Sequence, residues 1–172
     1  MTSYRPQGYA SVTPWIISDD TAGVIDFAKA AFGAVELARV PAPPGSAAHK
    51  PGGIAHAEVR IGDAVVMMFD SPFGWPKTPA FMRLYVEDPE AVFAAAIAAG
   101  ATEVTRVTRL GFGDKIGRVR DPFGNIWWLQ THVEDVSFEE LRRRWTDAEW
   151  GAAMAYVQSS LTAAKPEQIG PV

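Results

Sequence analysis

The chain contains no cysteine in its 172 residues. Disulfides, thiolate metal ligands and cysteine nucleophiles are therefore excluded, and the composition fits a reducing compartment. Charge of one sign is also scarce: 16 Lys and Arg against 20 Asp and Glu leave a net charge of −4. That gives no basic footprint, so nucleic acid is not expected as a partner. No run approaches the roughly 20 apolar residues that a membrane span needs. The opening Met1-Thr2-Ser3-Tyr4-Arg5-Pro6 carries no apolar signal core. The expectation is a cytoplasmic protein without a membrane partner. Several motifs are missing too: there is no Gly-x-Ser-x-Gly elbow, no P-loop and no dinucleotide fingerprint. The Gly-rich Gly111-Phe112-Gly113-Asp114 suits a backbone turn better than a phosphate cradle.

What is present is an ordinary globular composition, 48% hydrophobic and 21% charged, of a length for one domain or two small modules. The chain repeats itself. Trp15 to Asp20 reads as a strand and acidic cap, followed by a helical stretch and then Phe32-Gly33-Ala34-Val35-Glu36-Leu37. Met82 to Asp88, a second helical stretch and Ala99-Gly100-Ala101-Thr102-Glu103-Val104 follow the same plan. Acidic residues suit helix N-termini and the glycines suit αL stops. Each copy ends in a hairpin, Ala57 to Phe69 and Arg118 to Gln130. In the second, Asp121-Pro122-Phe123-Gly124 supplies the turn. Two βαβββ units follow, with a repeat of about 60 residues. The expected organisation is a first module over 11–70, a linker over 71–79, a second module over 80–133 and a helical extension over 137–162, together one structural domain.

Arg39 to Gly53 is rich in Pro, Gly and Ala and reads as a mobile loop that contains a solvated His49. Phe73 and Trp75 either anchor the linker or fold over a pocket. Beyond His132, Ser137-Phe138-Glu139-Glu140 and Thr146-Asp147-Ala148-Glu149 fit capping boxes for helices over 138–145 and 147–161. The second helix aligns Trp150, Met154, Val157 and Leu161 on one stripe, to pack on a sheet or a second subunit. The tail from Thr162 should fray.

The ordered set Val12-Thr13-Pro14-Trp15-Ile16, Phe32-Gly33-Ala34, Ala55 to Asp63, Leu84-Tyr85-Val86-Glu87-Asp88, Ala98-Ala99-Gly100-Ala101 and Gly117 to Gly124, extended by Thr131 to Ser137, resembles the vicinal oxygen chelate superfamily. This is the glyoxalase, bleomycin-resistance and dioxygenase group, and the match looks like its PhnB-like branch. The resemblance covers about residues 11–140. It implies an α+β fold in which paired βαβββ modules form a curved mixed sheet around a cavity, followed here by C-terminal helices. It also implies a homodimer.

Metal-dependent members hold a divalent ion with four strand residues, usually His and Glu. The resemblance places Thr13, Val66, Phe81 and Trp128 at those positions. None replaces a His or carboxylate ligand, so no metal and no cofactor is expected. Strand alternation sets Trp128 beside Ile126, Gln130 and His132. It gives the same face to Thr13, Trp15 and Ile17, to Phe81, Arg83 and Tyr85, and to Ala64, Val66 and Met68. His56, Glu58 and Arg60 should also face the cavity, with Ala57, Val59 and Ile61 under a helix. Arg118 and Arg120 oppose Val119.

The first reading is a binder of a small organic ligand in an aromatic-lined cavity. Trp15, Phe81, Tyr85 and Trp128 would stack on it, and His56, Glu58, Arg83 and Arg118 would add polar selectivity. Arg83 and Arg118 either bind an anionic ligand or pair with Glu58. The alternative is a metal-independent lyase or isomerase with His56 and Glu58 as acid-base pair. A further alternative fills the cavity with aromatic side chains and leaves only protein contacts. His56 and His132 each also admit a purely structural role.

Overall fold

The computed structural model describes residues 4–46, 50–76 and 78–163. His49 and Lys77 lie outside the described residues, as does the tail from position 164. The fold is mixed α+β and divides between Ala80 and Phe81 into two compact units. The first runs β1 (Trp15–Ser18), α1 (Thr21–Phe32), β2 (Val35–Pro41), β3 (Ile54–Ile61) and β4 (Ala64–Asp70). The second runs β5 (Phe81–Tyr85), α2 (Pro89–Ala98), β6 (Thr102–Arg109), β7 (Asp114–Arg120) and β8 (Ile126–His132), then α3 (Phe138–Trp145) and α4 (Ala148–Ala163). The strand orders are β1-β4-β3-β2 and β5-β8-β7-β6. In each sheet the first pair is parallel and the others antiparallel. The two units are thus the same βαβββ plan used twice.

The repeat follows from matching punctuation. The Asp20 side chain accepts from Gly23 N, and that of Asp88 accepts from Ala91 N, which caps α1 and α2 at their first turns. Gly33 ends α1 at φ 64°, a conformation that costs glycine little. Behind each helix lies one apolar sheet face. In the first unit Ile16, Ala57, Val59, Val66 and Met68 are buried with Val24, Ile25 and Ala28 of α1. Each large aliphatic side chain buried this way contributes about 1.5–3 kcal/mol. In the second unit Val119, Trp127 and Leu129 are fully buried, and α2 packs against β7 and β8.

The β7–β8 turn is held by one carboxylate. Asp121 Oδ1 accepts from Phe123 N (2.9 Å) and Asn125 N (2.8 Å). Its Oδ2 accepts from Asn125 Nδ2 (2.8 Å) and Trp127 Nε1 (2.9 Å). Asp121 therefore closes the turn and also positions the core indole of β8.

Three local expectations are corrected. The segment from Arg39 to Gly53 is not loop from its start, because β2 continues to Pro41, an edge position where proline removes no ladder bond that matters. Phe73 does not anchor the linker, since it is 97% exposed, whereas Trp75 meets Phe69 edge-on at 6.2 Å. The cap of α4 is Asp147 and not Thr146: Asp147 Oδ1 accepts from Glu149 N, while Thr146 closes α3. The Ser137 cap forms as expected, on Glu140 N. The α4 stripe packs on a sheet, with Val157 buried against Leu110 and Ile116, and Met154 beside it.

Candidate functional site

Each sheet has a second face, turned away from its helix, and the sequence-derived candidates collect there. In the first unit Met67 pairs with both Trp15 and Glu58, so the three share that face. His56 is on it as well: His56 Nε2 lies 2.9 Å from Glu58 Oε1, and the His56 ring meets Trp15 at 5.6 Å. The N-terminal segment folds over this surface and Tyr9 Oη donates to Glu58 Oε2. The hydrogen bonds from Tyr9, then from His56, hold the Glu58 carboxyl below its ordinary range, while the same contact raises Tyr9. A cavity of about 410 Å3 adjoins the group and is lined by Tyr9, Thr13, Glu58 and Met67 among others.

Val66 is not on this face. The turn at Gly62-Asp63 pairs Ile61 with Ala64 and Val59 with Val66, so Ala64, Val66 and Met68 lie with the apolar residues of β3. The alternation for β4 is off by one residue, and a one-residue slip exchanges the faces. Val65, Met67 and Phe69 take those places.

In the second unit the alternation holds. Phe81, Arg83 and Tyr85 of β5 pair with Ile126, Trp128 and Gln130 of β8, and β7 pairs Arg118 with Trp128 from the other side. Arg83, Trp128 and Arg118 thus form a row across three strands. The Arg83 guanidinium carbon is 4.6 Å from the indole centroid and that of Arg118 is 3.8 Å away. Phe81 meets Trp128 at 6.0 Å. Helix α4 covers the β6 side of this face, whereas Phe81 and Tyr85 on β5 remain exposed.

Arg118 is buried, at 3% exposure. Its Nη1 donates to Thr105 Oγ1 (3.1 Å) and to the Val157 carbonyl of α4 (2.8 Å). Among the described residues its Nε has no hydrogen-bond partner, and neither do Trp128 Nε1 and Gln130 Oε1. Burial, then the neighbouring charge of Arg83, lowers the Arg118 pKa. Within the first unit Glu58 is partnered by Tyr9 and His56. Among the described residues no carboxylate forms an ion pair with either arginine.

His132 stands at the end of β8, with Nδ1 2.7 Å from Asp114 Oδ1 and Nε2 3.0 Å from Asp135 Oδ1. The hydrogen bond to Asp114, then that to Asp135, raises its pKa. The group ties a strand end to the following loop. Tyr9 and Met67 were not foreseen from sequence. Met67 was within reach by counting outward from the Gly62-Asp63 turn, whereas nothing in the aperiodic N-terminal segment marks Tyr9.

The four strand positions offered for a divalent ion do not fit one. With Met67 replacing Val66 they hold one hydroxyl, one thioether and two aromatic rings, a set poor in hard donors. Among the described residues no three His, Cys, Asp or Glu side chains are grouped so as to hold a metal.

Comparison with known proteins agrees with the repeated topology. The model of the Glyoxalase/Bleomycin resistance protein/Dioxygenase superfamily matches residues 9–129, and the chain belongs to that superfamily. The uncharacterized protein Mb0911c of Mycobacterium bovis is 38% identical over 143 residues, covering 77% of this chain and 90% of its own length. Among solved structures, TioX from Micromonospora sp. ML1 is similar with a TM-score of 0.56 at 24% identity, over 74% of this chain and all of that one. The PhnB protein from Bacillus cereus gives 0.55 at 15% identity, over 71% and 99%. These two likenesses show the fold, and PhnB is one neighbour among several.

Proposed function

We propose that the protein binds a small organic molecule on an aromatic-lined sheet face and does so without a metal ion. The observation that carries this reading is the indole of Trp128, held between two guanidinium groups at a strand position where the superfamily resemblance places a metal-binding carboxylate. Stacking surface with a few directed polar groups suits a flat organic ligand, and sequestration needs affinity alone. Assignment to the PhnB-like branch, a cytoplasmic location and a homodimer belong to the same proposal. A thermal-shift screen of organic compounds, run with and without EDTA, tests it. Compounds that raise the melting temperature equally in both buffers are expected; a shift that EDTA abolishes contradicts it.

One observation favours a second reading. The Tyr9–Glu58–His56 chain beside a cavity resembles an acid-base relay, in which the Glu58 carboxylate orients the imidazole and His56 moves the proton. In that case the protein is a metal-independent lyase or isomerase. His56→Ala then abolishes any turnover found by metabolite screening, and retained turnover removes His56 from the mechanism.

A further inference from the structure

We infer that the ligand of the second unit carries a carboxylate, received by Arg118 and Arg83 beside the indole N–H of Trp128. This rests on the binding reading above and specifies the ligand chemistry at the same face.

A guanidinium taken out of water needs an acidic partner or a full set of acceptors. Arg118 is 3% exposed and has two acceptors, Thr105 Oγ1 and the Val157 carbonyl, with Nε left unpaired. A second cation, Arg83, lies over the same indole from the other neighbouring strand, and its charge works against that of Arg118. Two like charges gathered on one half-buried ring, without an ion-paired carboxylate among the described residues, leave a positive field that the protein itself does not neutralise.

The unsatisfied groups match a carboxylate. Arg118 Nε and Trp128 Nε1 are donors, each buried and without a partner. A planar carboxylate accepts from a guanidinium fork through two oxygens, and such charge-assisted bonds are the strong ones. An anion would also relieve the repulsion between the two arginines. The remaining orphan, Gln130 Oε1, is an acceptor and takes no part in holding the anion.

Entry is from β5. Phe81 is 54% and Tyr85 68% exposed, so the apolar body of a ligand has aromatic surface on that side, while α4 covers the β6 side. Arg83 is exposed and makes no hydrogen bond among the described residues. It can swing over a bound carboxylate at the cost of one rotamer. The anion therefore sits deep, against Arg118, and the flat remainder of the molecule lies outward along Phe81 and Trp128.

The test is calorimetric titration of the whole chain with 1-naphthoate and with its neutral amide, 1-naphthamide. The carboxylate is expected to bind at least ~10-fold tighter, and added salt should narrow the gap. Arg118→Gln should erase the preference, weakening the carboxylate far more than the amide. Arg83→Gln should shrink it several-fold. If Arg118→Gln does not fold, Arg83→Gln and the salt dependence of the native protein decide. Equal affinity for acid and amide, or a preference that survives both substitutions, overturns the inference and leaves the binding reading in place. Failure of both probes to bind overturns the two together.

Discussion

Arg118 and Trp128 occupy directly paired positions on β7 and β8, with the guanidinium carbon 3.8 Å from the indole centroid and, among the described residues, no carboxylate ion-paired to Arg118. Opposed cationic and aromatic side chains attract, and so explain the stacking. They do not explain why a charge is buried there at all. A side chain kept only for stability would do as well apolar. Arg118→Met is therefore expected to change stability by less than ~1 kcal/mol, or to raise it, in urea denaturation. A loss beyond ~3 kcal/mol would mean that Arg118 serves chiefly to seat α4.

Asp121 is the opposite case, a buried carboxylate whose acceptor capacity is used. Asp121→Ala removes the acceptor shared by Phe123 N, Asn125 N and the Trp127 indole N–H. A loss of about 3 kcal/mol is expected, within the range for charged hydrogen bonds with buried partners. Denaturation at constant m-value measures it, and near-UV circular dichroism should report the loosened Trp127.

Gly113 links β6 to β7 at φ 98°, and its backbone oxygen accepts from Val133 N and Glu134 N. A Cβ built there would lie 2.0 Å from the Glu134 carbonyl oxygen. Gly113→Ala is expected to cost more than ~2 kcal/mol, from the strained φ and the displaced strand end. Gly62→Ala is the control, with φ 58° and open space around the added carbon. It should cost less in the same thermal unfolding assay.

Two groups set the pH dependence with opposite signs. His132 has a raised pKa in the folded state. Its contribution is complete below about pH 6.5 and is lost as pH rises through the raised value. His132→Gln should therefore narrow its stability deficit relative to the native chain between pH 6 and pH 8. Glu36 is pulled down to about 2 by Arg39 and then Lys29. Its contribution is present above about pH 4.5 and is lost as pH falls toward 2. Glu36→Gln should flatten the acid limb of the melting-temperature profile.

The fold was legible in the sequence because its punctuation comes twice. Asp20 and Asp88 cap the helices, Gly33 and Gly100 close them at positive φ, and each copy ends in a tight hairpin. The face of Trp128 followed from simple alternation. The face of β4 did not, because Val65 to Met68 is continuously apolar and carries no period of its own. The register across the Gly62-Asp63 turn and the β1–β4 pairing show that Met67 and not Val66 joins Trp15. Long-range partners stayed hidden for a different reason. Tyr9 reaches Glu58 across 49 positions, and Arg118 reaches the Val157 carbonyl across 39. Such meetings depend on where an aperiodic segment or a terminal helix comes to rest, which no local pattern encodes.

Native mass spectrometry of the purified protein, with and without added Zn, Mn or Ni, tests the central claim most directly. A metal-independent binder should appear without a stoichiometric divalent ion and should retain or acquire an organic ligand whose occupancy the metals do not change. A stoichiometric metal adduct that survives dialysis and is required for ligand retention would contradict it.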